Sequence, residues 1–349
     1  MKIWADNEKL SYTGRIDWTN TKAPVFVFPC TSVQMNFTGN QLSVCVENHN
    51  AYWNNYLGYI LDGEQQSLLL PKSGEVELRI PVKENQNNTH SILLFKRQDS
   101  CHEVVFKGFE IEEGETILAP DAKSIRKIEV YGDSVSAGEV SEAVEYVGKA
   151  DPEHNGEFSN SWYSYAWMTA RKLNAEIHDI AQGGIALMDH TGWFFEPNAV
   201  GMESAWDKVH YNPTFGNATK WNFEQYTPQV VIVAIGQNDN HPDDYMKEEY
   251  NGERAMKWRS HYETFLRKLR ETYPEAQIIC ITTLLEHDES WDQSIDQVVK
   301  TVNDEKISHY VFRRNGKATP GHLRISEAKE MAEELAAYIE NLSIEGWNE

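Results

Sequence analysis

The chain has 349 residues, with 32 Lys plus Arg against 54 Asp plus Glu and a formal net charge of −22 at pH 7. Such a field repels phosphate backbones and anionic membranes, which argues against nucleic acid or a lipid surface as partner and suits a neutral substrate. With 40% hydrophobic and 25% charged residues the chain is neither disordered nor fibrous, no apolar run approaches a membrane span, and its length points to two domains.

The four cysteines, Cys30, Cys45, Cys101 and Cys280, are too scattered for a disulfide framework or a zinc finger and read as free thiols. Residues 1–9 carry charge where a secretory signal needs an apolar core, so cytoplasmic residence is the expectation. Short apolar alternations at 25–28, 33–37, 42–46, 56–61, 68–70, 76–80, 92–95 and 104–111 predict about eight antiparallel strands of a β-sandwich. Gly39-Asn40 and Asp62-Gly63 fall between such runs, where hairpins need residues that tolerate positive φ. The polar, breaker-rich stretch 112–123 marks a boundary, giving a β-sandwich over 1–120 and a second domain over 121–349.

Beyond the boundary the period changes. Buried strands are predicted at 125–131, 177–181, 230–235, 278–285 and 307–312, and helices at 160–173, around Trp258, Tyr262, Phe265, Leu266 and Leu269, and at 325–339. Strands alternating with helices predict an α/β domain with a parallel sheet covered on both faces.

Sites in such sheets lie at the carboxyl ends of the strands. The first strand runs into Tyr131-Gly132-Asp133-Ser134, with a serine at the strand-to-helix turn, although Asp and Ser also cap helices. The second runs into Gln182-Gly183-Gly184, where paired glycines admit close approach of a ligand to backbone amides. The third ends in Gly236-Gln237-Asn238-Asp239, offering an amide donor for a developing oxyanion. Thr319-Pro320-Gly321-His322 precedes the last helix and supplies an imidazole that can act as general base.

Four blocks in this order resemble the SGNH (GDSL-type) hydrolases over roughly residues 125 to 340. The resemblance implies a flavodoxin-like three-layer α/β/α domain, with Ser134 as nucleophile, His322 as base, and an oxyanion hole of Ser134, Gly184 and Asn238. Gly183 or the amide of Leu187 could take the block-two role instead. Most members place an aspartate three residues before the histidine, and here that position is Thr319; a backbone carbonyl or an acid from elsewhere would then orient His322. A jelly-roll sandwich before the SGNH domain, with a carbonyl in place of the acid, resembles carbohydrate esterase family 2. That resemblance implies a carboxylic ester hydrolase removing O-acetyl groups from xylan- or mannan-derived oligosaccharides by a serine–histidine acyl-enzyme mechanism, without metal or cofactor. A lipase-like member acting on longer acyl esters and an inactive carbohydrate-binding protein are the alternatives.

Among the aromatic residues, Trp291, in a predicted polar loop over 286–293, is the candidate sugar platform, against the bland alternative that such rings pack. The aromatic-rich insertion 188–229 could shape specificity or simply pack on the body. Tyr52, Trp53 and Tyr56 could form a platform on the sandwich. Asp133 reads as a residue that holds its loop through backbone amides, and His154, His190, His210 and His241 read as surface histidines without ligand spacing. The extra β-domain and aromatic surface leave homo-oligomerisation open.

Overall fold

The computed structural model describes residues 1–84, 86–216 and 218–347. Seven long strands build the first domain: β1 (Ser32–Thr38), β2 (Gln41–Asn50), β3 (Tyr56–Leu61), β4 (Glu64–Leu69), β5 (Ser73–Pro81), β6 (Thr89–Lys96) and β7 (His102–Ile111). Shorter pieces extend them into two six-stranded antiparallel sheets, one containing the order β7-β2-β5 and the other β1-β6-β3-β4. Alternate side chains such as Met35, Phe37, Val44, Val46, Ile92, Leu94, Phe106 and Phe109 point between the sheets and form the sandwich core.

The two turn signals have different outcomes. Asp62 and Gly63 both adopt positive φ and close a two-residue hairpin in which Leu61 pairs with Glu64. Gly39-Asn40 instead carries the chain from one sheet to the other, because β1 and β2 belong to different sheets. Both are reversals that a positive-φ glycine serves, and local sequence does not distinguish them.

The second domain carries a parallel sheet of β8 (Lys127–Gly132), β9 (Glu176–Ala181), β10 (Val230–Ala234), β11 (Gln277–Cys280) and β12 (Ile307–His309) in the order β9-β8-β10-β11-β12. This is the doubly wound, flavodoxin-like order, with its switch point at the carboxyl ends of β8 and β10. β10 shows why its run is continuously apolar: Val231 and Val233 join the core on one face, Val230 and Ile232 the core on the other. Helices α1 (Glu253–Thr272) and α2 (Glu289–Val302) cover the first face through Trp258, Tyr262, Phe265, Trp291 and Ile295. The opposite face is covered by Tyr165–Lys172 and Ile325–Glu340, through Tyr165, Ala170, Met331, Leu335 and Ile339.

Several expected elements differ, among them the strand predicted over 278–285, which is a strand only across Gln277–Cys280. The helix predicted over 160–173 is a 3-10 turn at Ser161–Tyr163 followed by Tyr165–Lys172, separated by Ser164, whose Oγ accepts from Trp167 N at 3.1 Å and starts the second helix. The strand predicted over 307–312 pairs only across Ile307–His309. The predicted loop 286–293 is largely the first turn of α2, capped by Asp288, whose carboxylate accepts from Ser290 N at 3.0 Å.

The domains meet through buried charge. Arg15, fully buried, sends its guanidinium from the sandwich to the carbonyls of Trp206 at 2.6 Å and Lys208 at 2.9 Å, and to Glu129 of β8 at 3.3 Å. His210, read as a surface residue, is instead half-buried between Asp17 and Glu103 of the sandwich, at 3.0 and 2.9 Å. Against the desolvation that burial imposes, these two carboxylates push its pKa up to about 9.

Candidate active site

β8 delivers Ser134 by stopping at Gly132. Asp133 then caps a single helical turn, Ser134–Ala137, by accepting from Val135 N at 2.9 Å. The other carboxylate oxygen accepts from Gln237 Nε2 at 2.9 Å and lies 3.4 Å from Asn238 Nδ2, so Asp133 ties block one to block three. Burial raises its pKa despite these donors. Asp133 therefore holds the loop through backbone and amide donors.

The structure brings His322 to this turn across 188 residues of chain, with Nε2 2.8 Å from Ser134 Oγ. Its Nδ1 lies 2.6 Å from Asp151 Oδ2. A backbone carbonyl at this nitrogen, one of the two expectations, is thereby replaced by a carboxylate from elsewhere. Asp151 is itself fixed, accepting from His322 N at 2.9 Å and from Arg324 Nη2 at 2.8 Å. The loop can approach because residue 321 is glycine: a Cβ there would lie 2.6 Å from both Asp151 Oδ1 and the Lys149 carbonyl. With Nδ1–H donated to Asp151, Nε2 presents its lone pair to the Ser134 hydroxyl.

The local electrostatics favour an imidazolium. Although burial opposes it, the charges of Glu139, Asp151 and Asp133, with the Asp151 hydrogen bond, push the His322 pKa up to about 9. Burial acts on Asp151 too, yet His322 and Arg324 hold its carboxyl well below the usual range.

At block two, three amides were open as oxyanion donors. Gly183 N donates to Asp99 Oδ2 at 2.7 Å, and Leu187 N donates to both oxygens of Asp239, at 3.0 and 3.1 Å. Gly184 N and Ser134 N have no hydrogen-bond partner among the described residues. Asn238 stands beside them. Its Nδ2 donates to the Ile185 carbonyl at 3.1 Å and reaches Asp133 only at the longer distance given above.

Ser134, His322, Gly184 and Asn238 share a cavity of about 530 Å³. Its other walls are Tyr52, Trp53 and Asp99 from the sandwich, Glu139 from the turn that carries Ser134, Gly183 of block two, and Trp193, Phe194, Phe195 and Glu196 from the insertion. Tyr52 and Trp53 thus belong to the catalytic-end cavity; Tyr56 is not among its walls. Trp291 is not in the cavity either. It is 1% exposed, packs edge-on against Trp258 and Tyr245, and donates from Nε1 to Asp244 at 3.0 Å. Its helical spacing to Ile295 and Val298 turns it into the core, which corrects the expectation of a sugar platform.

Within the insertion most rings do pack: Phe194, Tyr211, Trp221 and Tyr226 are buried, and Trp206 and Phe223 pack against the core. Trp193 is 57% exposed at the cavity, stacked on His241 with ring centroids 3.3 Å apart. Asp151, Asp99 and Glu139 went unrecognised in the sequence, because no spacing links them to the four blocks. Among the described residues, only Cys45, Glu77 and Glu110 bring potential metal-ligand atoms within 4.8 Å of one another, and they lie on β2, β5 and β7 of the sandwich rather than in the cavity.

Comparison with known proteins agrees with this architecture. The family model for the carbohydrate esterase 2 N-terminal domain matches residues 12–120. The chain is 28% identical over 347 residues to a cellulase/esterase of Acetivibrio thermocellus, covering 96% of this chain and 40% of that protein. It is 25% identical over 294 residues to an acetylxylan esterase/glucomannan deacetylase of Cellvibrio japonicus, covering 79% of this chain and 72% of that one. A solved family two carbohydrate esterase from Clostridium thermocellum, in complex with cellohexaose, superposes with a TM-score of 0.78 at 25% identity, covering 95% of this chain and 98% of that one. The chain thus spans less than half the length of the first of these relatives, and about three quarters of the second. In fold, domain order and sequence the chain is thus similar to the family 2 carbohydrate esterases, whose N-terminal domain it matches over residues 12–120.

Proposed function

We propose that the protein is a carbohydrate acetyl esterase that hydrolyses O-acetyl groups of xylan- or mannan-derived oligosaccharides through an acyl-enzyme on Ser134. The observation that carries this reading is the continuous relay Ser134 Oγ, His322 and Asp151, with contacts of 2.8 and 2.6 Å, at the floor of an open cavity. Ser134 Oγ attacks the acetyl carbonyl while His322 Nε2 takes its proton. Negative charge then develops on the carbonyl oxygen, where the unpaired N–H groups of Ser134 and Gly184 and the loosely held amide of Asn238 donate to it. Collapse breaks the bond to the sugar oxygen, which takes the proton from His322. Water, activated by the same imidazole, then cleaves the acetyl-serine to acetate.

The walls support a sugar substrate. Trp193 offers an exposed ring face, steadied by His241, whose Nε2 lies 3.2 Å from Glu196. Among the described residues no lysine or arginine lines the cavity, which favours neutral glycosides. The relatives named for acetylxylan and glucomannan, and the one crystallised with cellohexaose, add support from outside the chain.

Acetate release from acetylated xylo- and manno-oligosaccharides, set beside nitrophenyl acetate, butyrate and octanoate, tests the reading. Release from the sugars with little octanoate cleavage is expected. Preference for octanoate would favour the longer-acyl alternative, and no release from any ester would favour a binding protein. Cytoplasmic residence belongs to the same proposal; the four unpaired cysteines support it, and cell fractionation tests it.

A further inference from the structure

Glu139 lines the cavity and, apart from the charge it places near His322, has no part in the acyl-transfer steps. Its backbone N donates to the Ser134 carbonyl at 3.0 Å, so it is fixed on the nucleophile's own turn. Gly183 makes room for its side chain. A Cβ at residue 183 would lie 2.8 Å from Glu139 Oε2, 2.7 Å from Asp99 Oδ2 and 3.8 Å from Ser134 Cβ, so both carboxylates and the nucleophile crowd one glycine.

The two carboxylates differ in what they already bind. Asp99 accepts from Gly183 N, Gln182 Nε2, Tyr52 Oη and Cys101 N. The Glu139 carboxylate has no hydrogen-bond or ion-pair partner among the described residues. Burial and the charges of Asp99, Asp151 and Asp133, partly offset by His322, raise its pKa to about 7. The carboxylate is half-buried at the cavity wall, so a ligand that displaces water there leaves it unsatisfied unless the ligand brings a donor of its own.

We propose that Glu139 is a specificity-determining residue that binds a free hydroxyl next to the acetylated carbon, selecting partially acetylated neutral sugars over fully substituted ones. This rests on the carbohydrate esterase reading and names the substrate class of the same site. A substrate lacking that hydroxyl leaves Glu139 unpaired in the complex, and this penalty is the source of discrimination. Methylated or fully acetylated units are therefore poor substrates even where the ester itself is reachable.

The test compares methyl xyloside monoacetate with the same ester whose neighbouring hydroxyls are O-methylated, using the full chain. The parent protein is expected to prefer the free-hydroxyl ester by about 10- to 1000-fold in kcat/KM. In Glu139→Ala that preference should collapse to within about threefold, and Glu139→Gln, whose amide oxygen still accepts, should retain part of it. A parent protein with no preference overturns the inference without requiring any variant to fold, as does an unchanged preference in folded Glu139→Ala. Nitrophenyl acetate hydrolysis without acetate release from either sugar would instead overturn the carbohydrate reading, and this inference with it.

Discussion

At the scale of single residues, the proposed mechanism rests on what surrounds the histidine beside Ser134. Asp151 fixes the imidazole tautomer through its hydrogen bond, and in the proposed mechanism it also stabilises the imidazolium that forms during attack. Asp151→Asn should lower kcat by about 100- to 10,000-fold, because the amide can hold the wrong tautomer. It should also move the pH profile. A base must be neutral to accept the Ser134 proton, so kcat/KM of the parent should climb through neutral pH and level near the His322 pKa of about 9. Removing the Asp151 charge takes away a partner of the protonated form, which shifts that limb downward toward the ordinary histidine value. A kcat/KM profile of both proteins from about pH 5 to 10 checks the sign; an upward shift in the variant would contradict it.

At the scale of elements, the blocks are locked to one another by side chains that do no chemistry. Asp133 joins the turn after β8 to the turn after β10, while Asp99 and Asp239 hold the two ends of the block-two loop. Asp99→Ala should release Gly183 and Gln182, let Gly184 drift, and lower kcat by about 10- to 100-fold, with KM moved less. Asp99→Asn, which keeps an acceptor oxygen, should recover part of the loss; steady-state kinetics with a folding control decides this.

The same elements show what a single sequence discloses. Ser134 and Asn238 were legible because each follows an apolar run that ends abruptly in polar residues, and His322 because it stands just before the last amphipathic helix. Gly184 was narrowed only once the structure showed which amides were already bonded. Asp151 was not legible, since it sits in an irregular segment 171 residues from its partner and depends on Gly321 for its approach. Trp291 was misread because Asp288 and Glu289 make the first turn of α2 look like a polar loop, while the burial of its other face is a tertiary fact. The hairpin expected at Gly39-Asn40 failed similarly, since the sheet to which each strand belongs is decided at long range.

At the scale of the whole molecule, the sandwich completes the site. It supplies Tyr52, Trp53 and Asp99 to the cavity and anchors itself with Arg15 against Glu129 in β8. The guanidinium and carboxylate are both fully buried, and Tyr131 and Tyr273 also contact this charge cluster. Arg15→Ala would leave Glu129 without its cation and should destabilise the protein by about 3–5 kcal/mol. The two domains should therefore unfold together in the parent protein, in one calorimetric transition. Two well-separated transitions, or an Arg15→Ala variant as stable as the parent, would contradict a jointly built site.

The most direct measurement of the central claim is acetate release from acetylated xylo- and manno-oligosaccharides by the parent protein and Ser134→Ala side by side. Release by the parent protein, with loss of nearly all of it in a folded Ser134→Ala, is the expected result. Equal release by both proteins would contradict the account, since the ester would then be cleaved without the serine that the relay from Asp151 through His322 serves.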